Sequence, residues 1–293
     1  MKAVPSFDVL SPSSLEEALR MLSETSEDTV VCAGGTDLMP WMRRGKIKPR
    51  KVIDLSGVSE LNYLKRDGGA FRAGALTTIH DLTNSPLIPS NYLSIKFLAV
   101  YFGAETTRHM ATVGGNLASG GERDLPAILT SLDGVVKIVS DRGVRFSHPL
   151  EVQLKPDEII LEASFEDWGV NAVSWFTKFE KRASNGIGVV TVTVTMKTVD
   201  NSVERLRIVL NRVEGKKMGR LYGLEEELTG TTLSSQLVKE AVERHVSKIR
   251  PASDFRASLE FRRHVSKVLV RRGLEFCWRY LQGDENNENR VHA

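Results

Sequence analysis

The chain has 293 residues, 41% hydrophobic and 26% charged, with a formal net charge of only +3. That composition suits a soluble globular protein of two or three modest domains, and the mixed charges argue against nucleic acid or a membrane surface as the main partner. The two cysteines, Cys32 and Cys277, lie far apart. They form neither a disulfide framework nor a zinc or iron–sulfur ligand set, which points to a reducing compartment. The first eight residues lack the apolar core and cleavage pattern of a signal peptide, and no apolar stretch reaches the roughly 20 residues that span a bilayer. A cytoplasmic location is the expectation.

In chain order, residues 7–10 read as an extended lead-in. A helix follows with Ser14 as its cap and Glu17 three residues on, the spacing of a capping box; Leu15, Ala18, Leu19 and Leu22 fit one face. Residues 29–33 read as a buried strand running into Gly34-Gly35. A short helix over 36–44 and a strand over 51–55 complete a small β-α-β arrangement. Asp67-Gly68-Gly69 marks a hairpin turn between two short strands. Helical pattern returns at 78–82 and 93–102, and a second glycine pair, Gly114-Gly115, follows. Asp124-Leu125-Pro126 opens another helix, with the proline in a first turn where its missing N–H costs little. Residues 135–139 and 159–163 read as strands.

The character changes near residue 170. Residues 173–179 and 189–196 are strand-like, the second alternating strictly between apolar residues and threonine, as expected for a sheet with one face on a core. A strand at 203–210 pairs next, and helices follow at 221–228, 233–249 and 258–281. The polar segment 283–293 reads as a disordered tail. No internal repeat is visible. The layout is a nucleotide-sized α+β part over 1–169 followed by a sheet with helices over 170–282.

The glycine pairs carry the chemistry. A strand ending in Gly34-Gly35, followed by Thr36-Asp37 and a helix, can turn backbone N–H groups outward toward an anion. Taken alone it reads more readily as a tight turn. Ala111-Thr112-Val113-Gly114-Gly115-Asn116 repeats the combination of hydroxyl, two glycines and a polar residue. Together, two such loops suit the two phosphates of a dinucleotide. No Lys-Ser/Thr follows either pair, and neither is Gly-x-Gly-x-x-Gly, which excludes a P-loop and disfavours a Rossmann dehydrogenase.

With these motifs in hand, the chain resembles the FAD-binding (medium) subunit of the molybdenum hydroxylases, of xanthine dehydrogenase and carbon monoxide dehydrogenase type. The resemblance covers residues 3–281. It rests on Ala33-Gly34-Gly35-Thr36-Asp37-Leu38, on Gly74-Ala75-Leu76-Thr77-Thr78, and on Arg108-His109-Met110-Ala111-Thr112-Val113-Gly114-Gly115-Asn116-Leu117-Ala118. Asp124-Leu125-Pro126 and Asp254-Phe255-Arg256-Ala257-Ser258-Leu259-Glu260-Phe261-Arg262-Arg263 complete it. The fold it implies is α+β: a two-subdomain FAD-binding fold of the PCMH or vanillyl-alcohol-oxidase-like kind, then a C-terminal antiparallel sheet with a helical bundle.

The resemblance also implies contacts. Val31, Cys32, Ala33, Gly34, Gly35, Thr36, Asp37 and Leu38 would wrap the FAD pyrophosphate, and Thr112, Val113, Gly114, Gly115 and Asn116 would meet it from the other side. Phe102 matches an aromatic residue near the cofactor, or is core. Asp124 matches a residue that binds sugar or ribityl hydroxyls, or caps its helix. Ile160 matches an aliphatic contact near the adenine, or packs in its strand. Lys178, followed by Arg182, matches a basic residue near the flavin, where a cation favours the anionic reduced ring, or points to solvent by strand alternation.

Two segments depart from the family pattern. Ser119-Gly120-Gly121-Glu122-Arg123 is one residue shorter than in many relatives and lacks their proline, and Asn185-Gly186-Ile187 stands where Asp-Ile-Ala is common. The histidines show no metal-binding spacing; His80 and His264 read as helix or surface residues. The basic run from Arg262-Arg263 to Arg271-Arg272 reads as a solvated face or a docking surface. The function implied is electron transfer: from the [2Fe-2S] clusters of a small partner, fed by a large molybdopterin subunit, through FAD to NAD or another acceptor. The alternatives are a stand-alone flavin oxidoreductase and a non-catalytic scaffold subunit. No catalytic side chain and no metal ligand is assigned.

Overall fold

The structure, a computed structural model, describes residues 4, 6–24, 28–182 and 186–283. The expected tail beyond Gly283, and Asn185, lie outside them. In chain order the elements are β1 (Asp8–Leu10), α1 (Leu15–Ser23), β2 (Thr29–Cys32), α2 (Leu38–Arg43), β3 (Lys51–Asp54), β4 (Leu64–Asp67), β5 (Ala70–Gly74), α3 (Ile79–Asn84), α4 (Leu93–Tyr101), α5 (Glu105–Met110), α6 (Val113–Ala118) and α7 (Asp124–Ser131). They continue with β6 (Val135–Ser140), β7 (Gly143–Ser147), β8 (Ile159–Glu166), β9 (Ala172–Phe179), β10 (Val190–Val199), β11 (Ser202–Gly215), β12 (Lys217–Arg220), α8 (Tyr222–Leu228), α9 (Ser235–Val246), β13 (Arg250–Pro251) and α10 (Leu259–Leu281). The described residues fall into two compact units, one within 1–87, 103–126 and 134–166, the other within 88–102, 127–133 and 167–293.

The first unit holds two small sheets. One is parallel, in the order β1-β3-β2. Ser14 caps α1 by accepting from the Glu17 N–H at 3.1 Å. The Glu17 carboxylate reaches back one residue further than a capping box predicts, to the N–H and hydroxyl of Ser13. The other sheet is antiparallel, in the order β4-β5-β8-β6-β7. Asp67 pairs with Ala70 across Gly68-Gly69, both at positive φ, so the predicted hairpin turn is the tight kind whose twist matches its strands.

The second unit is built on the antiparallel sheet β12-β11-β10-β9, with β13 added in parallel to β11. On one face Val192, Val194 and Met196 of β10 pack with Trp175 and the apolar side of α10. Gly273 sits mid-helix because the Trp175 ring occupies the space its Cβ would fill, at 2.7 Å. The threonine face differs from the sequence expectation. Thr191, Thr193 and Thr195 are buried, not solvated. They share a face with Ser174, which meets Ser94 of α4 at 2.7 Å, and Thr195 donates to Ser131 at the end of α7. The hydroxyls therefore face covering helices, and the alternation marks a sheet buried on both sides.

Arg262 also departs from expectation. It is 1% exposed, neither on a solvated face nor on a docking surface. It donates to Asp254 at 2.6 Å and to the Val189 carbonyl. Arg212 and Arg256 share the same carboxylate at 3.1 and 2.7 Å. Of the remaining run, Arg263 and Arg271 are half-buried and Arg272 is exposed. His80 on α3 stacks on His109 of α5, ring centroids 3.7 Å apart. No helix among the described residues is long and apolar enough to cross a membrane.

Candidate functional site

The first glycine pair lies between β2 and α2, and its two residues are glycine for different reasons. Gly35 has φ +67°, a conformation that side chains resist. A Cβ on Gly34 would fall 1.7 Å from the Met110 carbonyl oxygen, so this loop lies directly on the backbone that leads into α6. Among the described residues, the N–H groups of Gly34, Gly35, Thr36 and Asp37 donate to no protein acceptor. Four unpaired donors on a glycine turn are what an anion such as a pyrophosphate needs.

The second pair is not an open loop. It forms the first turn of α6, with Thr112 as the cap accepting from the Gly115 N–H at 3.1 Å. Val113 N–H donates to the Thr77 carbonyl, Gly114 N–H to the Ala75 carbonyl and Asn116 N–H to the Thr112 carbonyl, at 2.8–2.9 Å. A Cβ on Gly114 would meet that of Ala75 at 2.7 Å. These glycines thus let a helix start close against residues 75–77, and their N–H groups are already paired. The cradle is one-sided: the donors belong to residues 34–37, while α6 supplies a wall.

Between them lies a cavity of about 300 Å³. Of the residues singled out in the sequence it gathers Val31, Cys32, Ala33, Gly34, Gly35, Thr36, Asp37, Leu38, Thr112, Gly114, Gly115 and Ile160. Val113 and Asn116 do not line it. They lie on the other side of α6 from Gly114, Gly115 and Ala118, and both are buried, Asn116 with an unpaired Oδ1. Asp124 is the first residue of α7 and does not line the cavity. Phe102 and Lys178 belong to the second unit. There Phe102 ends α4. Lys178 does not follow the alternation to solvent: its ammonium is buried, 2.8 Å from Glu180 Oε1 and donating to the Tyr101 carbonyl.

Much of the lining was not foreseen. Trp41, Ile47, Leu55, Leu154 and Ile159 add apolar wall, with Ala75, Leu76 and Ser119. For the first five the only sequence signal is hydrophobicity, which equally fits core, while Ala75 and Leu76 belong to a motif of the family resemblance and Ser119 to the departing segment. Cys32 packs as a small apolar group, its thiol pushed up by burial and by the nearby Asp54 carboxylate. Glu158 is the cavity's buried carboxylate. Arg145 grips both its oxygens at 2.8 and 2.7 Å, and the Lys155 N–H adds a third bond. The guanidinium outweighs burial and holds the carboxyl at about 2. Its stabilising effect is therefore present above the ordinary carboxylate range and lost as pH falls through about 2. Glu158→Gln is expected to destabilise the chain by about 2 kcal/mol at neutral pH, a deficit that shrinks in acid. Urea denaturation at two pH values checks both.

The family model "FAD binding domain in molybdopterin dehydrogenase" matches residues 5–163, just over half of the chain. The chain belongs to this family. It is an oxidoreductase component whose cofactor is FAD. A second model, "CO dehydrogenase flavoprotein C-terminal domain", matches residues 175–276. Among relatives, the nicotine 6-hydroxylase medium subunit of Paenarthrobacter nicotinovorans is 30% identical, covering 92% of this chain and 96% of its own. The glyceraldehyde dehydrogenase medium chain of Sulfolobus acidocaldarius is 29% identical, covering 91% and 96%. In fold the chain is similar to carbon monoxide dehydrogenase from Hydrogenophaga pseudoflava, with a TM-score of 0.87 at 22% identity, over 94% of this chain and 98% of that one. The free N–H groups at 34–37 and the close-packed glycine wall of α6 fit the pyrophosphate of this cofactor.

Proposed function

We propose that this flavoprotein is the electron-transfer subunit of a multi-subunit molybdenum hydroxylase. It takes electrons from the [2Fe-2S] clusters of a small partner, supplied by a large molybdopterin subunit, and delivers them to NAD or another acceptor. The observation that carries the reading is the row of unpaired N–H donors at Gly34, Gly35, Thr36 and Asp37, set against α6. These would hold the pyrophosphate, while Ile160 and its apolar neighbours would receive the adenine end. Asp124 is proposed for the sugar or ribityl hydroxyls. The bound flavin supplies the redox chemistry, and the chain's residues bind it and hold it in place. The family membership and the relatives named as medium subunits support the assignment of partners.

The test is purification and spectroscopy of the full chain. One FAD per chain is expected, released on denaturation, with only slow turnover of NADH or simple substrates by the isolated chain, and with reduction of the flavin through the partner subunits once these and their substrate are added. Rapid turnover by the isolated chain would overturn the subunit reading in favour of a stand-alone oxidoreductase. Protein that never takes up added FAD would leave only a scaffold.

A further inference from the structure

The donor row contains a contradiction. Asp37 sits at its end and lines the same cavity, so a carboxylate stands beside N–H groups suited to an anion. Like charges at such range disfavour binding. Two groups answer the carboxylate. Ser119 Oγ lies 2.9 Å from Asp37 Oδ2 and 2.7 Å from the Gly115 carbonyl, and its single proton serves only one of them at a time. Arg123 Nη2 lies 3.0 Å from the same Oδ2. Among the described residues, Arg123 is the cation paired with Asp37.

Arg123 belongs to the short segment that departs from the family pattern. That segment turns sharply: Gly120 and Gly121 have φ +62° and +77°, with open space where their side chains would stand. Arg123 N–H donates to the Gly121 carbonyl and its Nε to the Gly120 carbonyl, at 3.0 and 3.2 Å. The turn thereby brings the guanidinium back across the end of α6 to the first loop. The arrangement costs positive φ at two positions, and its visible product is the link to Asp37.

We infer that Arg123 is a positioning residue that neutralises Asp37 beside the N–H groups of residues 34–37, making the cradle acceptable to a pyrophosphate. The inference rests on the FAD reading above. It does not make Arg123 a phosphate ligand, and this separates it from the simplest alternative. If the guanidinium acts through Asp37, removing the carboxylate also removes the need for it.

The test uses the full chain stripped of flavin and titrated with FAD, following flavin fluorescence. Arg123→Gln is expected to weaken binding about tenfold, and the double variant D37N/R123Q to return within about twofold of the unaltered chain. Asp37→Asn alone is the reference for the double variant, and against it the further loss on R123Q is expected to be under twofold. Arg123→Lys keeps a cation beside Asp37 and is expected to stay within about threefold of the unaltered chain, so it serves even if R123Q does not fold: a tenfold loss in it would overturn the inference. Unchanged binding in R123Q overturns it too, as does a loss that D37N fails to rescue, which would place Arg123 on the ligand itself. If the unaltered chain takes up no FAD, it is the functional reading that fails, and the coupling of Asp37 to Arg123 is then read in thermal melts of the unaltered chain, D37N, R123Q and the double variant. No coupling there overturns the pairing of Arg123 with Asp37 as well.

Discussion

Gly34→Ala is expected to remove FAD binding and to destabilise the chain by about 3 kcal/mol. The added Cβ would lie 1.7 Å from the Met110 oxygen, 2.7 Å from its carbonyl carbon and 3.3 Å from Ala111 Cα. All three are backbone atoms, so no rotamer change relieves the contact, and the first loop must part from residues 110–111 by more than an ångström. Overpacking a close backbone contact costs roughly 1–3 kcal/mol and upward. Thr112, the cap of α6, comes next in the chain, so the displacement acts on both walls of the cavity. Gly35→Ala is the control. Its Cβ meets only Cys32 Sγ and Met39 Cγ, both at 3.6 Å, and its cost is the positive φ, roughly 1–2 kcal/mol. The expected order of damage is Gly34 well above Gly35, read from the flavin retained on gel filtration and from urea midpoints. Equal retention in both variants would show that the two loops do not depend on their close approach.

That contrast shows what the sequence discloses. The turn after β2 was legible because a strand, two glycines and a helix follow one another locally. The helix at Gly114-Gly115 was not, since glycine is a poor helix former and the pattern reads as a loop. What makes it helical is remote: the carbonyls of Ala75 and Thr77 take its first N–H groups. A signal was present in Thr112, three residues before Gly115, the spacing at which a threonine caps a helix. The role of Asp37 was illegible for a similar reason, because its partners Ser119 and Arg123 are more than 80 positions away. Alternation in β10 told which residues share a face but not that both faces are covered. A threonine face fits water or a helix bearing hydroxyls equally well, and only the arrival of Ser94 and Ser131 decides.

The burial of Arg262 leads to the second large effect: Asp254→Asn is expected to cost about 3 kcal/mol, through the second unit. Basic residues at helical spacing are ordinarily solvated, and no local pattern announces an exception. Here one carboxylate serves three guanidinia, those of Arg212, Arg256 and Arg262. Arg212 and Arg262 are 3% and 1% exposed. Burial lowers the hold of Arg262 on its proton, and neighbouring Arg212 lowers it further, against the pull of Asp254. With asparagine in place, three cations keep their proximity and lose the carboxylate they share, and breaking a buried pair by removing one partner costs roughly 3–5 kcal/mol. The low end is apt because Asp254 itself retains 17% exposure. Although burial opposes it, the bonds from Arg256 and Arg262 hold the Asp254 carboxyl far below the ordinary range. The sign follows: its contribution is full above the ordinary carboxylate pKa and declines as pH falls below it. D254N should therefore be much less stable than the unaltered chain at pH 7, with the gap narrowing in acid. Arg262→Met offers the converse, removing one of three cations while filling its space, and is expected to cost less than D254N. Equal losses would mean that packing around residue 262, not charge balance at Asp254, holds α10 to its sheet.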